Sequence, residues 1–552
     1  MALYGLAMVV RALLFALHPD AAYPDSYYYA DVARSLQAGH GFNVDFIYSF
    51  IDVGGRIPSH PGLPIPSNAF WMPLASIVQL PSMWLLGPSP LASAIPFALI
   101  GSLAAPLTWL IAREMGCRPR VALAAGIGVA IPAGASIFMA QPDNFSLFQV
   151  LGTAAIWFTV RGLAGHRWSF ALAGVMVGLA TLSRNDGLLL GGVVGLAFVW
   201  DRRRAWRSKG TRAPAIPWRY AVACFGLFVL VVAPWYLRQL AVFGTILPSS
   251  ATGQTLFIRN YDDINSVTSS ASLGSFLSQG IGSIVAGRVL GLVAAVGIYC
   301  VLLCSLALAP FVVVGAWARR RSADVGPFFL YAGLLFAASA LLFPFYVPHG
   351  TFIHSAVALV PFSFILGMEG VVIVVTWIAR HRRSWEEARA ARMFLVAAIA
   401  LLALNAGVFA AGASQSWNSE RESLIAAGAA IDATGAPSTD LVMSADPAGI
   451  EYYTGRGGVV TPVDSLDVIH QVAELYGVRW LVLQRSQIVA AMAPVLESRG
   501  QPAWIGQPIF SLPYDGPKTG DPAADAAPAV AVYPICASAF DLRCSVVARS
   551  GP

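Results

Sequence analysis

Long apolar runs alternate along this chain with short loops that are in turn arginine-rich or polar and aromatic, and this alternation decides what the chain can fold into. Runs long enough for helical spans, allowing for tilt and for short segments inside a bundle, cover residues 2–17, 91–112, 121–139, 146–160, 168–182, 187–200, 220–237, 289–317, 328–343, 353–378 and 394–411. Backbone N–H and C=O groups find no partners in hydrocarbon, so such runs must close their hydrogen bonds internally as helices. The expectation is an α-helical polytopic membrane protein with about eleven transmembrane helices. A hydrophobic share of 57% against 12% charged residues leaves too little polar surface to cover a water-soluble globule of 552 residues. The N-terminus opens directly into apolar sequence, without a basic leader or a small-residue cleavage site, and reads as an uncleaved first span.

The net charge of +6 resembles a nucleic-acid footprint only until the basic residues are placed. They gather in five clusters between apolar runs: Arg113, Arg118 and Arg120; Arg161 and Arg167; Arg202 to Arg212; Arg319, Arg320 and Arg321; and Arg380 to Arg392. Lys and Arg in short loops mark the cytoplasmic side, so nucleic acid is set aside as a partner and membrane lipids take its place. All five clusters share one side only if the Pro-flanked apolar run 73–86 does not cross. It then belongs to a long first external loop, residues 18–90, as a re-entrant or surface-lying piece. The same parity splits 168–200 into two short spans meeting at Ser183-Arg184-Asn185-Asp186.

With the N-terminus inside and an odd number of crossings, the chain divides into a transmembrane domain, residues 1–411, and an extracytoplasmic domain, residues 412–552. A second external loop covers residues 239–288. The composition of the C-terminal part turns soluble: residues 441–444, 458–461 and 479–483 read as short buried strands, and 464–476 and 487–498 as helices, which together predict a soluble α/β domain. It lacks a Gly-x-Gly-x-x-Gly turn, which argues against a nucleotide site, and no cofactor is read from the sequence. Cys536 and Cys544 lie close together in this polar part and are able to pair in an oxidising compartment.

Most suggestive polar residues fall on the external face. Asp25 follows the first span beside Tyr27, Tyr28 and Tyr29. A carboxylate there suits a general base for a hydroxyl nucleophile, and it equally suits a helix N-cap. Asp143, in Gln141-Pro142-Asp143-Asn144, carries the same two readings. Arg184, at the apex of two short spans, needs an anionic partner, either Asp186 or a ligand phosphate. Arg238 ends a span after Trp235 and Tyr236, placed to touch a ligand or to snorkel. His349 and His354 flank a short external turn, placed to touch a headgroup, without the partner spacing of a metal site.

Arg11, Asp25-Ser26-Tyr27-Tyr28-Tyr29, Gly39-His40-Gly41-Phe42, Ser183-Arg184-Asn185-Asp186-Gly187, Pro234-Trp235-Tyr236-Leu237-Arg238, Phe243 to Pro248 and Asp446-Pro447 to Arg456 together resemble one family. The chain is similar across nearly its whole length to the GT-C-type polyprenyl-phosphate-sugar transferases, the superfamily of protein O-mannosyltransferases and the lipid A aminoarabinose transferase. The resemblance implies a GT-C fold and transfer of a sugar from a polyprenyl-phosphate donor to an acceptor glycan, lipid or protein. It assigns Asp25 as catalytic carboxylate, Asp143 as a second acidic position, and Arg184 as a basic position near the lipid phosphate. Tyr28, Asp186, Arg238 and His354 join them as expected substrate contacts. Many relatives carry Asp-Glu where this chain has Asp25-Ser26, and no metal is inferred. Two other classes compete. A lipid-linked-sugar flippase or transporter suits many spans with intramembrane charge, but no internal repeat is seen. A non-catalytic envelope assembly protein would use the external domain to bind a partner.

Overall fold

The computed structural model describes residues 1–207, 215–248, 255–269, 271–382 and 385–536. Lys209, Arg212, Arg383, Cys544 and part of the 239–288 loop lie outside the described residues. The chain forms two compact units: Met1–Asp20, Trp71–Arg238 and Gly280–Ser414 in the first, and Ala21–Phe70, Gln239–Gln279 and Gln415–Pro552 in the second.

The first unit is helical. Among the described residues, seven helices are long and apolar enough to cross a membrane, and five shorter apolar helices accompany them. The run 73–86 forms two short helices, Leu74–Ile77 and Leu80–Leu86. The expected hairpin is Ser169–Ser183 followed by Leu188–Arg207, joined through a 3-10 turn at Asn185–Gly187. The run 289–317 is not one helix. Ile281–Ile298 continues into a π turn at Tyr299–Leu303, Ser305 adopts a left-handed φ of 60°, and a new helix covers Ala309–Arg319.

Small residues let these helices meet backbone to backbone, since lipid supplies no hydrophobic drive for their association. A β-carbon on Gly315 would lie 2.0 Å from the Leu366 carbonyl oxygen, and one on Gly370 2.0 Å from that of Phe311. The helices Ala309–Arg319 and Val360–His381 therefore cross at two glycines. One end of this pair is pinned by Arg319, which grips both carboxylate oxygens of Glu369 at 2.5 and 2.8 Å and donates to Asp324 at 3.0 Å. Arg11 is almost fully buried in the first helix, Ala2–Leu17, and donates to the carbonyls of Gly101 at 3.0 Å and Ala7 at 3.4 Å.

The second unit is built on a six-stranded sheet. Its strands are β2 (Phe46–Ile47), β4 (Leu441–Ser444), β5 (Gly458–Val460), β6 (Val478–Gln484), β7 (Phe510–Leu512) and β8 (Val530–Pro534), in the order β2-β5-β4-β6-β8-β7. The first four are parallel, and β8 and β7 are antiparallel additions. A separate two-stranded ribbon pairs β1 (Asn43–Val44) with β3 (Ile65–Pro66). Both faces of the large sheet are covered. Met443, Val459, Leu481 and Leu483 pack with Ile469, Val472 and Tyr476 on one face, while Val442, Trp480 and Val482 pack with Leu424, Ala427 and Ile431 on the other. Burial on both faces is why the strands read as continuous apolar runs in the sequence. The helix Leu466–Tyr476 turns Ile469, Val472, Ala473 and Tyr476 to the core at helical spacing and stops at Gly477, whose φ of 66° suits glycine. Cys536 is disulfide-bonded, whereas Cys117, Cys224, Cys300 and Cys304 are free.

Candidate active site

In the membrane unit the polar candidates converge on one short helix, Thr351–Ala356. Gly350 precedes it with a φ of 101°, a conformation that a side chain resists, and the helix begins from this turn. His354 and Ser355 then point to two different acids.

His354 Nε2 lies 2.9 Å from Asp143 Oδ2, and its Nδ1 lies 2.7 Å from the Gly350 carbonyl oxygen. Its ring stacks on Phe145 at 3.8 Å between centroids. Both ring nitrogens lie within hydrogen-bond distance of oxygen atoms, which fixes the ring's orientation. Asp143 is fully buried and N-caps Asn144–Leu163, accepting from the Asn144 N–H at 2.5 Å. The capping reading of Asp143 thus holds together with a histidine partner 211 residues away.

Ser355 Oγ donates to Asp186 Oδ2, and the other oxygen of Asp186 accepts from Arg184 Nε at 3.1 Å. Arg184 reaches the Thr351 carbonyl oxygen through its terminal nitrogen at 3.4 Å, and its side chain retains 16% exposure. Tyr331 donates its hydroxyl to the Ser355 carbonyl oxygen at 3.0 Å and fixes the helix from behind. The turn that presents Arg184 depends on Gly187, where a β-carbon would meet the Thr181 backbone nitrogen at 2.5 Å. The pair Asp143–His354 and the group Ser355–Asp186–Arg184 are therefore joined through two adjacent residues of one helix. Arg238 is placed differently, its guanidinium 5.0 Å from the Trp235 ring centroid. His349 is exposed in the turn before Gly350.

Asp25 and Tyr28 belong to the second unit. The helix Pro24–Gln37 is N-capped at Tyr23, with Asp25 in its first turn, so Asp25 is not the cap residue. Ser26, at the third helical position, closes a capping box on Tyr23: its hydroxyl accepts from the N–H groups of Ala22 and Tyr23 at 2.9 and 3.0 Å and donates to the Tyr23 carbonyl oxygen at 2.8 Å. The Tyr28 hydroxyl accepts from the Asn68 N–H at 2.7 Å, and the Asn68 carbonyl oxygen accepts from Gln239 at 2.7 Å. Around Asp25 the second unit gathers Tyr48, Tyr261 and Asp446. Burial holds both phenols above their usual range, and the Asp25 charge raises them further. Burial likewise pushes the Asp446 carboxyl up to about 7, against the pull of the Gly449 N–H, with Glu420 and Asp25 adding to the rise.

Sequence reasoning gave no role to Ser355, Thr351 and Tyr331. The one signal was local: Ser355 directly follows His354, so a helix orienting the histidine also orients the serine.

Residues 67–237 match the family model of dolichyl-phosphate-mannose-protein mannosyltransferases. Among solved structures, the chain is similar to ArnT from Cupriavidus metallidurans bound to undecaprenyl phosphate, at a TM-score of 0.55 and 14% identity, with 98% of each chain covered. The chain has a GT-C-like fold. The apo state of the same ArnT aligns at a TM-score of 0.52 and 14% identity, covering 96% of this chain and 97% of that GT-C protein. No curated protein matches the sequence significantly. The GT-C assignment and the apolar helices make this a multi-pass membrane protein.

Proposed function

We propose that the chain moves a sugar from a polyprenyl-phosphate donor to an acceptor hydroxyl on the extracytoplasmic face, with inversion at the anomeric carbon. The observation that carries this reading is Arg184, a guanidinium held by Asp186 and the Thr351 carbonyl oxygen at the joint of two apolar helices. Asp186 answers its charge in this structure, and the Arg184 side chain keeps 16% exposure, so a lipid phosphate arriving from the bilayer is placed to share the guanidinium. The matched family is named for a lipid-phosphate sugar donor, and the ArnT structure contains undecaprenyl phosphate.

In the proposed step the acceptor oxygen attacks the anomeric carbon in line. The bond from that carbon to the phosphate oxygen breaks, and the polyprenyl phosphate leaves with the electron pair. Asp25 takes the acceptor proton, and Arg184 stabilises the charge growing on the phosphate. Asp143 and His354 position the helix Thr351–Ala356, and with it the carbonyl and the serine that orient Arg184 and Asp186. In the same proposal the N-terminus is cytoplasmic, residues 412–552 are extracytoplasmic, and the acceptor is a glycan, a lipid or a protein.

The test supplies protein in nanodiscs with radiolabelled polyprenyl-phosphate sugars and candidate acceptors, and follows label leaving the donor. Wild type transfers label, and Arg184→Gln loses about tenfold or more in donor binding, as expected for a charge-assisted contact. Donor bound and moved across a vesicle without label transfer would replace the proposal with the flippase reading. Neither binding nor transfer with any donor would favour an assembly protein.

A further inference from the structure

A cavity of about 450 Å³ opens in the second unit, well separated in sequence from the residues assigned to chemistry. It lies between residues of 259–269 with Ser275 on one side and Val463-Asp464 on the other, and its lining is almost wholly polar. Its volume falls in the range of about 300–1,000 Å³ common for small-molecule sites.

The wall is built rather than incidental. Asp464 accepts from the Ser266 hydroxyl at 2.8 Å, from the Val267 N–H at 2.8 Å and from the Thr268 hydroxyl. Asn265 adds a backbone bond from the Val463 N–H at 3.1 Å. Asp263 is engaged by the Arg259 N–H at 2.9 Å, with Arg259 Nε 3.6 Å away. Asn260 caps the turn Tyr261–Asn265 through its side-chain oxygen, which accepts from the Asp263 N–H at 3.0 Å. These bonds use up Asp464 and the carbonyl of Asn260. Asp262, Asn260, Thr268 and Ser269 line the cavity and bring a carboxylate, a carboxamide and hydroxyls to its wall.

The charges decide the class of ligand. Asp262, Asp263 and Asp464 oppose Arg259 alone, so the lining is net negative and disfavours a phosphate. With no aliphatic patch beyond Val463, it also disfavours a lipid tail. A carboxylate, a carboxamide and hydroxyls fit vicinal hydroxyl or amino groups on a neutral or cationic saccharide. We infer that this cavity is a subsite for the acceptor glycan, binding one or two sugar units of a polyhydroxylated acceptor through Asp262 and Asn260. The inference rests on the glycosyl-transfer reading and narrows its acceptor to a glycan-bearing one.

The test is saturation-transfer NMR on full-length protein in nanodiscs with methyl hexopyranosides and methyl aminohexopyranosides as probes, comparing wild type with Asp262→Ala and Asn260→Ala. At least one probe receives saturation from wild type and loses most of it in both variants, while binding of polyprenyl phosphate is unchanged. Both side chains are exposed, but Asn260→Ala also removes the cap of the turn Tyr261–Asn265, so Asp262→Ala carries the test and the polyprenyl-phosphate control verifies folding. No saturation transfer to any probe, or transfer unaffected by both substitutions, overturns the inference and leaves the donor chemistry standing. Loss of polyprenyl-phosphate binding by wild type itself would instead strike the transfer reading.

Discussion

At the scale of single residues, the account turns on the contacts that hold Arg184 in place. One carboxylate, one carbonyl and the tight turn at Gly187 fix a cation that the surrounding apolar helices would otherwise expel. Gly187→Ala drives a β-carbon against the Thr181 backbone, and overpacking of this kind costs about 1–3 kcal/mol. Thermal unfolding in detergent should therefore fall by several degrees for Gly187→Ala and hardly change for Gly195→Ala, where nothing lies within 4 Å. Asp446 offers a pH test outside the membrane spans. Its folded carboxyl, raised to about 7, keeps a proton that the unfolded chain releases near the ordinary value of 3.8. The folded state thus holds more protons between those values, and stability falls as pH rises through that window, by up to about 1.4 kcal/mol per pH unit for one group. Above about 7 the contribution levels off. Asp446→Asn keeps an acceptor for the Gly449 N–H and should flatten the decline in unfolding temperature between about pH 4 and 7. Asp52 and Glu451, raised in the same direction by burial, leave part of the slope in place.

At the scale of elements, the two-glycine crossing of Ala309–Arg319 with Val360–His381 supports the site from a distance, because Val360–His381 follows Thr351–Ala356 after a single 3-10 turn. Gly315→Val places methyl groups where the Leu366 carbonyl now sits, and should lower both unfolding temperature and donor binding, the latter by displacing the helix that carries His354 and Ser355. Elements with strong local signals were legible in the sequence. The strand Leu441–Ser444 lies at its expected bounds, and Val478–Gln484 and the helix Leu466–Tyr476 differ from theirs by a residue or two, because two-faced burial and helical spacing leave clear apolar patterns. The strand Phe46–Ile47 was not legible: two residues cannot show a period, and the partner strand Gly458–Val460 is some four hundred residues away. The antiparallel strands Phe510–Leu512 and Val530–Pro534 escaped because a Pro- and Ala-rich stretch separates them. The break at Ser305 escaped because the apolar run continues through it, and only its φ of 60° marks the change of helix.

For the molecule as a whole, apolar runs and arginine clusters led to the fold class, and the GT-C resemblance is matched by a fold that aligns over 98% of the chain. The candidate site was partly legible. Asp186 is one of the two partners that the sequence left open for Arg184, since an arginine at the joint of two apolar spans calls for an acid or a phosphate. The Asp143–His354 pair was not legible, because only the folded bundle brings together residues from two distant loops. The helix Glu387–Ala433 runs 47 residues, about 70 Å at helical rise, while a bilayer's hydrocarbon core is about 30 Å thick. It continues as a helix beyond its apolar part, where composition alone had placed the end of the span at residue 411. The central claim is that the chain performs sugar transfer with Asp25 as base. The most direct measurement is release of free polyprenyl phosphate from a polyprenyl-phosphate sugar by protein in nanodiscs, alongside donor binding, for wild type and Asp25→Asn. The account predicts turnover reduced by about 10²–10⁴-fold in Asp25→Asn with donor binding preserved. Turnover at the wild-type rate in Asp25→Asn would contradict it.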